Sequence, residues 1–88
     1  MVALTFDAGA SNDGVAPILA TLAERKAPAT FFLTGRFAAS FPASARAIAK
    51  KYPIGNHTQT HADLTKLTRA EIREEIRAGE RSIVRVTG

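Results

Sequence analysis

The chain contains two histidines, His57 and His61, and they lie four residues apart in the segment Gly-Asn-His-Thr-Gln-Thr-His. Side chains at this spacing share one face of a helix, and a turn can also bring them together. Neutral imidazole is a good ligand for zinc and for similar divalent ions. The pair therefore indicates a metal site, with two surface or hydrogen-bonded histidines as the alternative.

A carboxylate is the next candidate group. Asp7 directly follows a short apolar run, and a glycine follows two positions later. Near a cation this carboxylate would stay ionised, and it could bind the metal or accept a proton from water. A turn residue that bonds its own backbone is the alternative. Two imidazoles with one or two carboxylates predict a hydrolytic site, in which an ion lowers the pKa of water towards about 7.

The elements that must position these groups alternate along the chain. Apolar runs at 2–6, 28–34 and 53–55 are typical of strands, and a helical pattern follows each of them. This alternation predicts an α/β fold with parallel strands joined by crossover helices. In such sheets, sites form at the carboxyl ends of the strands, where Asp7 and His57 are both expected.

The helical patterns carry recognisable end signals. Asp13 is expected to cap the first helix, and the second spans about 42–51. A capping box at 68–71 opens the third helix, whose Ile72, Ile76 and Ile83 are expected to face inward. Gly79 should weaken the middle of that helix by about 1 kcal/mol relative to alanine.

Composition limits the alternatives. The 88 residues correspond to one small domain or part of one, with 45% hydrophobic residues, no cysteine and a formal net charge of +4. The basic residues are interleaved with glutamates, which favours an ordinary solvated surface over nucleic-acid binding. No apolar run is long enough for a membrane span, and no secretion signal is recognisable in this chain.

Three segments in combination resemble the polysaccharide deacetylases (carbohydrate esterase family 4). Residues 5–9, Thr-Phe-Asp-Ala-Gly, resemble the family's TFDDG signature, and residues 57–61 match its H[ST]xxH signature. Residues 29–35, Ala-Thr-Phe-Phe-Leu-Thr-Gly, resemble its ATFF-x-x-G strand. Asn56 before the first histidine and Asp63-Leu64 after the second also fit the family pattern, so the similarity extends over nearly the whole chain.

The resemblance implies that residues 1–88 are the N-terminal half of the catalytic domain, about three strand–helix units of a distorted (β/α) barrel. It implies removal of acetyl groups from N-acetylated or O-acetylated glycans such as chitin or peptidoglycan, by a parent protein that is secreted or in the cell envelope. Asp7 would be the general base, and His57 and His61 would bind a divalent metal, zinc in preference to cobalt or manganese. Thr58 and Asn56 would lie next to these ligands without binding the metal themselves. A helix cap is the alternative for Thr58.

Two departures from the family pattern matter. Ala8 stands where the family usually has a second aspartate that binds the metal, so weaker metal binding is expected unless Asp7 or Asp13 supplies the missing ligand. Asp13 could instead serve only as a helix cap. The family's later motifs have no match, so we expect the 88 residues alone to be weakly active or inactive. A non-catalytic half-barrel that self-associates through an exposed sheet edge is the alternative function.

Overall fold

A computed structural model describes all residues of the chain, 1–88, and contains one three-stranded sheet and four α-helices. The parallel strands lie in the order β1 (Thr5–Ala8), β2 (Thr30–Leu33) and β3 (Ile54–Asn56). The helices are α1 (Val15–Arg25), α2 (Gly35–Ser40), α3 (Pro42–Ala49) and α4 (Arg69–Thr87), with a short 3-10 helix at Leu64–Lys66. The predicted α/β fold with parallel strands is confirmed, and the sheet is not closed into a barrel.

The register of the sheet aligns the carboxyl ends of its strands. Leu33, the last residue of β2, is paired with Ala8 on one side and with Asn56 on the other. Asp7 and His57 therefore lie next to the same end of the sheet, although 50 positions separate them in the sequence. This arrangement agrees with the expectation that the candidate groups reach a common edge.

The core lies where the central strand β2 meets the helices. Phe31 and Leu33 of β2 are buried, and the Phe31 ring stacks on Phe6 of β1 with a centroid distance of 5.1 Å. The helices contribute the buried side chains of Leu22, Phe37, Ala38, Ala45, Ile48 and Ile83. Since β2 has a neighbour on both sides and helices over Phe31 and Leu33, it is the fixed element of the site's scaffold.

Helix α2 was not predicted from the sequence. Thr34 ends the strand region and also caps this helix, because its hydroxyl oxygen accepts a hydrogen bond of 3.0 Å from the amide of Phe37. Phe37 is fully buried, and its ring lies 5.4 Å from that of Phe41. The spacing of these two phenylalanines is helical, and this was the overlooked signal.

Asp13 does not cap α1, so this part of the prediction is wrong. Gly14 occupies the N-cap position without a side-chain hydrogen bond. The amide of Asp13 instead donates to the hydroxyl of Ser11, and the amide of Val15 donates to the carbonyl of Asn12. A turn of the preceding loop thus leads into the helix one residue later than expected.

Two apolar positions are also more exposed than expected. Strand β1 begins at Thr5 rather than at residue 2, so Val2 lies outside the sheet and is exposed. Ile76 was expected to face inward but is 47% exposed, since the buried face of α4 runs through Gly79 and Ile83.

Self-association through the free edge of the sheet stays a prediction. None of the helices combines the length and the apolar character that crossing a bilayer requires.

The predicted capping box at the start of α4 is present. The amide of Thr68 donates to the Glu71 carboxylate over 2.8 Å, and the amide of Glu71 donates to the Thr68 hydroxyl over 3.1 Å. The backbone hydrogen bond from Thr68, followed by the side-chain hydrogen bond, holds the pKa of Glu71 below its ordinary value. The bond that the Glu71 carboxylate accepts therefore stabilises the folded chain more while that carboxylate is ionised.

We expect the free energy of unfolding to fall as the pH is lowered through the range in which Glu71 becomes protonated. A carboxylate whose pKa is lowered by folding stabilises the protein above its unfolded-state pKa of about 4.3 and loses that contribution in acid. Urea denaturation at several pH values should show a shallower pH dependence for Glu71→Gln, which keeps an acceptor for the cap. The exposed Glu80→Gln variant is the charge-matched control, and an equally shallow curve for it would contradict this explanation.

Candidate metal centre

Asp7 and His57 lie beside each other at the carboxyl end of the sheet. Oδ2 of Asp7 is 3.7 Å from Nε2 of His57, which is too long for a hydrogen bond. The Asp7 side chain is 64% exposed and that of His57 is 29% exposed, so both can be reached from outside. The amide of His57 donates to the carbonyl of Leu33 over 2.9 Å, and this bond continues the pairing of β3 with the central strand.

His61 lies next to His57 on the segment that follows β3, which we call the histidine loop (residues 57–61). The two imidazole rings are tilted by 54° with their centroids 4.8 Å apart. Thr58 and His61 have positive φ angles of 67° and 59°, in the left-handed region that few residues other than glycine adopt. A turn, rather than a helix face, therefore brings the two rings together.

Local hydrogen bonds fit this left-handed turn. The hydroxyl oxygen of Thr58 accepts from the amide of His61 over 3.1 Å, and Oδ1 of Asn56 accepts from the amide of Thr58 over 2.9 Å. The side-chain amide of Asn56 also donates to the carbonyl of Ile76 over 2.7 Å. Thr58 is thus a turn residue rather than a helix cap, and Asn56 joins the loop to α4.

Helix α2 holds the other side of the histidine loop. The amide of Gly35 donates to the carbonyl of Thr58, and the amide of Arg36 donates to the carbonyl of Gln59, each over 2.9 Å. Gly35 is buried, and a Cβ atom at this position would overlap the side chain of Gln59. A glycine at the start of α2 therefore allows the helix and the loop to meet at backbone distance.

Gly79 has the same role in α4. A Cβ atom there would lie 2.5 Å from Oδ1 of Asn56 and 2.8 Å from the carbonyl carbon of Thr58. Sequence reasoning identified only the cost of this glycine to the helix. The structure shows its purpose, since the backbone of α4 must approach the residues on either side of His57. The signal in the sequence was a glycine in the middle of a helix that is otherwise well capped.

An open cleft of about 580 Å³ gives access to the three candidate ligands, and Arg36 is the basic residue on its wall. Its lining residues are Asp7, Gly9, Ala10, Thr34, Arg36, Ser40, Phe41, His57, Thr60 and His61. Asp13 is not among them, and neither is Ala8, which packs against the hydrophobic core. The structure therefore brings Asp7, His57 and His61 to one cleft and leaves Asp13 outside it.

The donors in the cleft suit a divalent cation in their chemistry. Ligand atoms of a tetrahedral zinc ion lie about 3.3 Å apart, because each is about 2.0–2.2 Å from the metal. The Asp7–His57 separation of 3.7 Å differs from this value by only a few tenths of an ångström. No three His, Asp or Glu side chains are yet grouped tightly enough for a complete site. The positions of Asp7 and His57 thus fit a shared metal ion, and the His61 ring lies beside them.

Comparison with known proteins identifies the family. The sequence profile described as "Polysaccharide deacetylase" matches residues 1–88, so the chain belongs to the polysaccharide deacetylase family. It is 40% identical over 88 residues to a peptidoglycan-N-acetylglucosamine deacetylase of Bacillus cereus. That match covers 99% of this chain but 32% of the relative. The chain thus spans about a third of that relative's length.

Solved structures show the same fold. The Bc1960 peptidoglycan N-acetylglucosamine deacetylase superimposes with a TM-score of 0.91 and 39% identity, over 98% of this chain and 41% of its own. BA3943 of Bacillus anthracis, described as a pseudoenzyme of the same family, superimposes with a TM-score of 0.93 and 33% identity, over 99% of this chain and 31% of its own. A mutant of BA3943 described as having restored enzymatic activity also gives a TM-score of 0.93.

We expect Gly79→Ala to destabilise the chain, although alanine is the better helix former. The gain in helix propensity is about 1 kcal/mol, whereas forcing a methyl group into a filled space costs typically 1–3 kcal/mol. The overlap with Asn56 and Thr58 places this site in the costly part of that range. Urea denaturation should therefore show a net loss of stability.

Gly14→Ala is the matched control for this substitution. A Cβ atom at Gly14 would meet only the terminal carbon of Ile18, at an ordinary contact distance of 3.5 Å. Its backbone already has right-handed helical angles, so alanine introduces no strain there. Equal stability changes at the two glycines would show that the close approach of α4 to the histidine loop is not the cause.

Proposed function

We propose that the chain carries the metal-binding part of a polysaccharide deacetylase site, with His57 and His61 as ligands and Asp7 as the catalytic carboxylate. The observation that supports this most directly is the contact of 3.7 Å between Asp7 and His57 beside the His61 ring. Strands β1 and β3 deliver these groups from distant parts of the sequence to one cleft. The membership of the chain in the family makes deacetylation the reaction to test first.

In this proposal Asp7 acts on the water that attacks the acetyl group. Its carboxylate is exposed to the cleft and has no hydrogen-bond partner in the protein, so it is free to accept a proton. A divalent cation, when bound, would supply water of lowered pKa and would polarise the carbonyl under attack. Zinc is the ion that the two imidazoles favour, with cobalt or manganese as substitutes.

The substrate is proposed to be an acetylated glycan, such as peptidoglycan or chitin. The B. cereus relative is named a peptidoglycan-N-acetylglucosamine deacetylase, and its similarity extends over nearly the whole chain. The cleft is open and lined mainly by small and polar residues, which suits a hydrated sugar better than an apolar ligand. A substrate in the cell wall would place the whole protein in the cell envelope or outside the cell.

Ala8 sets the expected strength of metal binding. Its methyl group cannot bind a cation, and it stands between Asp7 and Gly9, which both line the cleft. Asp13, the alternative donor, lies outside the cleft residues. We therefore propose that the protein supplies one ligand fewer than is usual in the family, and that Asp7 remains the catalytic base.

Titration of the chain with zinc should show one site whose affinity depends on both histidines. We expect His57→Ala and His61→Ala each to weaken binding by more than about tenfold, because even residues behind the ligands typically contribute 10- to 100-fold. Isothermal titration calorimetry measures the affinity, and the visible spectrum of bound cobalt reports the ligands.

Asp13→Ala is the matched control for this titration, since it removes an acid that lies close in sequence to Asp7 but outside the cleft. Its zinc affinity should equal that of the wild-type chain. Tight zinc binding that survives the loss of either histidine would disprove the proposed ligand set. A large loss in Asp13→Ala would instead assign that residue as a ligand.

Replacing Ala8 by aspartate should tighten zinc binding by roughly tenfold or more, because a carboxylate restores the ligand that the family usually has at this position. Ala8→Asn is the control, since asparagine has nearly the size of aspartate but lacks its charge. Calorimetry with both variants separates the effect of the charge from that of the added atoms. An Ala8→Asp variant that binds zinc no better than Ala8→Asn would show that position 8 does not limit the site.

A further inference from the structure

We infer that Glu75 is a positioning residue of the metal site, which holds the histidine loop from helix α4 without touching the metal. This inference rests on the proposed function, because it assigns a purpose to the contacts behind the two histidines. Glu75 belongs to none of the three sequence signatures that resemble the family. It lies 14 residues beyond His61 in the sequence, on the helix that packs behind the loop.

Glu75 contacts the histidine loop through both its side chain and its backbone. Oε1 of Glu75 accepts hydrogen bonds from the amide and the hydroxyl of Thr60, over 2.9 Å and 3.0 Å. The backbone carbonyl of Glu75 accepts from the amide of Gln59 over 3.0 Å. One residue of α4 therefore fixes two consecutive residues that lie between the two candidate ligands.

The conformation of the loop explains why it needs this support. Thr58 and His61 have positive φ angles, and such backbone strain costs of order 1–3 kcal/mol per residue unless the surroundings fix it. Gln59 and Thr60 are the residues between these strained positions. By holding the amides of both, Glu75 opposes relaxation of the loop and keeps the two rings together.

The carboxylate of Glu75 has no other partner in the structure. It forms no ion pair, whereas its neighbour Glu74 pairs with Arg81 on the surface. Glu75 is half-buried, and a half-buried carboxylate must be compensated by hydrogen bonds. Both of its side-chain bonds come from Thr60, and hydrogen bonds to a charged acceptor are stronger than those between neutral groups.

Ser82 extends the same contact about two turns further along α4. Its hydroxyl donates to Oε1 of Gln59 over 2.8 Å, on the other side of Gly79 from Glu75. Gly79 leaves room between them for the loop backbone. Of these residues, Glu75 is the one that contacts the amide directly before His61, so its loss should affect that ring most.

The test compares Glu75→Ala with Glu75→Gln and with Glu74→Ala. Zinc affinity should fall roughly 10- to 100-fold in Glu75→Ala, as for other residues that orient metal ligands. Glu75→Gln should restore most of the zinc affinity that Glu75→Ala loses, because the amide oxygen of glutamine can still accept hydrogen bonds from Thr60. Glu74→Ala removes an exposed charge from the same turn of the helix and should leave the affinity unchanged.

A measurement without metal separates this inference from the proposed function. The nuclear Overhauser effect between the His57 and His61 rings should be present in the wild-type chain and lost in Glu75→Ala, while the Phe37 and Ile48 signals of the core persist. If Glu75→Ala does not fold, Thr60→Val removes one of the two donors and should show a smaller loss in the same direction.

The outcomes are distinguishable. If the wild-type chain binds no zinc, and Glu75→Ala loses the ring contact that the wild-type chain has, the proposed function is refuted. The positioning role of Glu75 is then still supported. Unchanged ring contact and zinc affinity in Glu75→Ala would refute the positioning role and leave the metal site intact. Equal losses in Glu75→Ala and Glu74→Ala would show that only the charge of the helix matters.

Discussion

The candidate site depends on the close approach of helix α4 to the histidine loop. Gly79 lets the helix backbone approach Asn56 and Thr58 at a distance that any Cβ atom would prevent. This approach brings the carbonyl of Ile76 to Asn56 and the carboxylate of Glu75 to Thr60. A loop with strained backbone angles can then keep one conformation, because the protein satisfies its polar groups from behind.

The same helix links the site to the stability of the domain. Ile83, one turn beyond Gly79, is buried in the core, so the packing of α4 and the shape of the loop are not independent. On the other side, Thr34 and Gly35 connect the end of β2 to α2 and then to the loop. Substitutions behind the loop should therefore change both stability and ligand geometry, which is why each experiment needs a control on the same element.

Much of the fold could be predicted from local patterns. The apolar runs indicated the strands, their alternation with helices indicated a parallel sheet, and the capping box located the start of α4. The patterns did not reveal α2, because Thr34 serves as both the end of a strand segment and a helix cap. They also placed Ile76 inside, because the buried face of α4 is set by the contact at Gly79, which no spacing rule contains.

The site was predicted to the level of which residues meet, and less well to the level of how. The rule that parallel strands end at a common edge correctly placed Asp7 near His57, because the register applies to the whole sheet. The left-handed backbone turn that brings His61 towards His57 depends on contacts between the histidine loop and residues 75–82, which are distant in the sequence. Such contacts between distant segments leave little local signal, and Glu75 looked like one of several surface glutamates.

Family membership limits the reaction but does not decide whether this chain performs it. The fold matches an active deacetylase and a pseudoenzyme almost equally well, and the pseudoenzyme's fold similarity is the same in a mutant with restored activity. Backbone similarity therefore does not distinguish active from inactive members, because function resides in the side chains of a site and not in the fold. In this chain the side chains proposed for the site are Asp7, His57 and His61, with a methyl group at position 8. Because the loss of one donor would weaken the binding of a cation without disturbing the scaffold, we propose that metal affinity, rather than folding, limits the proposed activity.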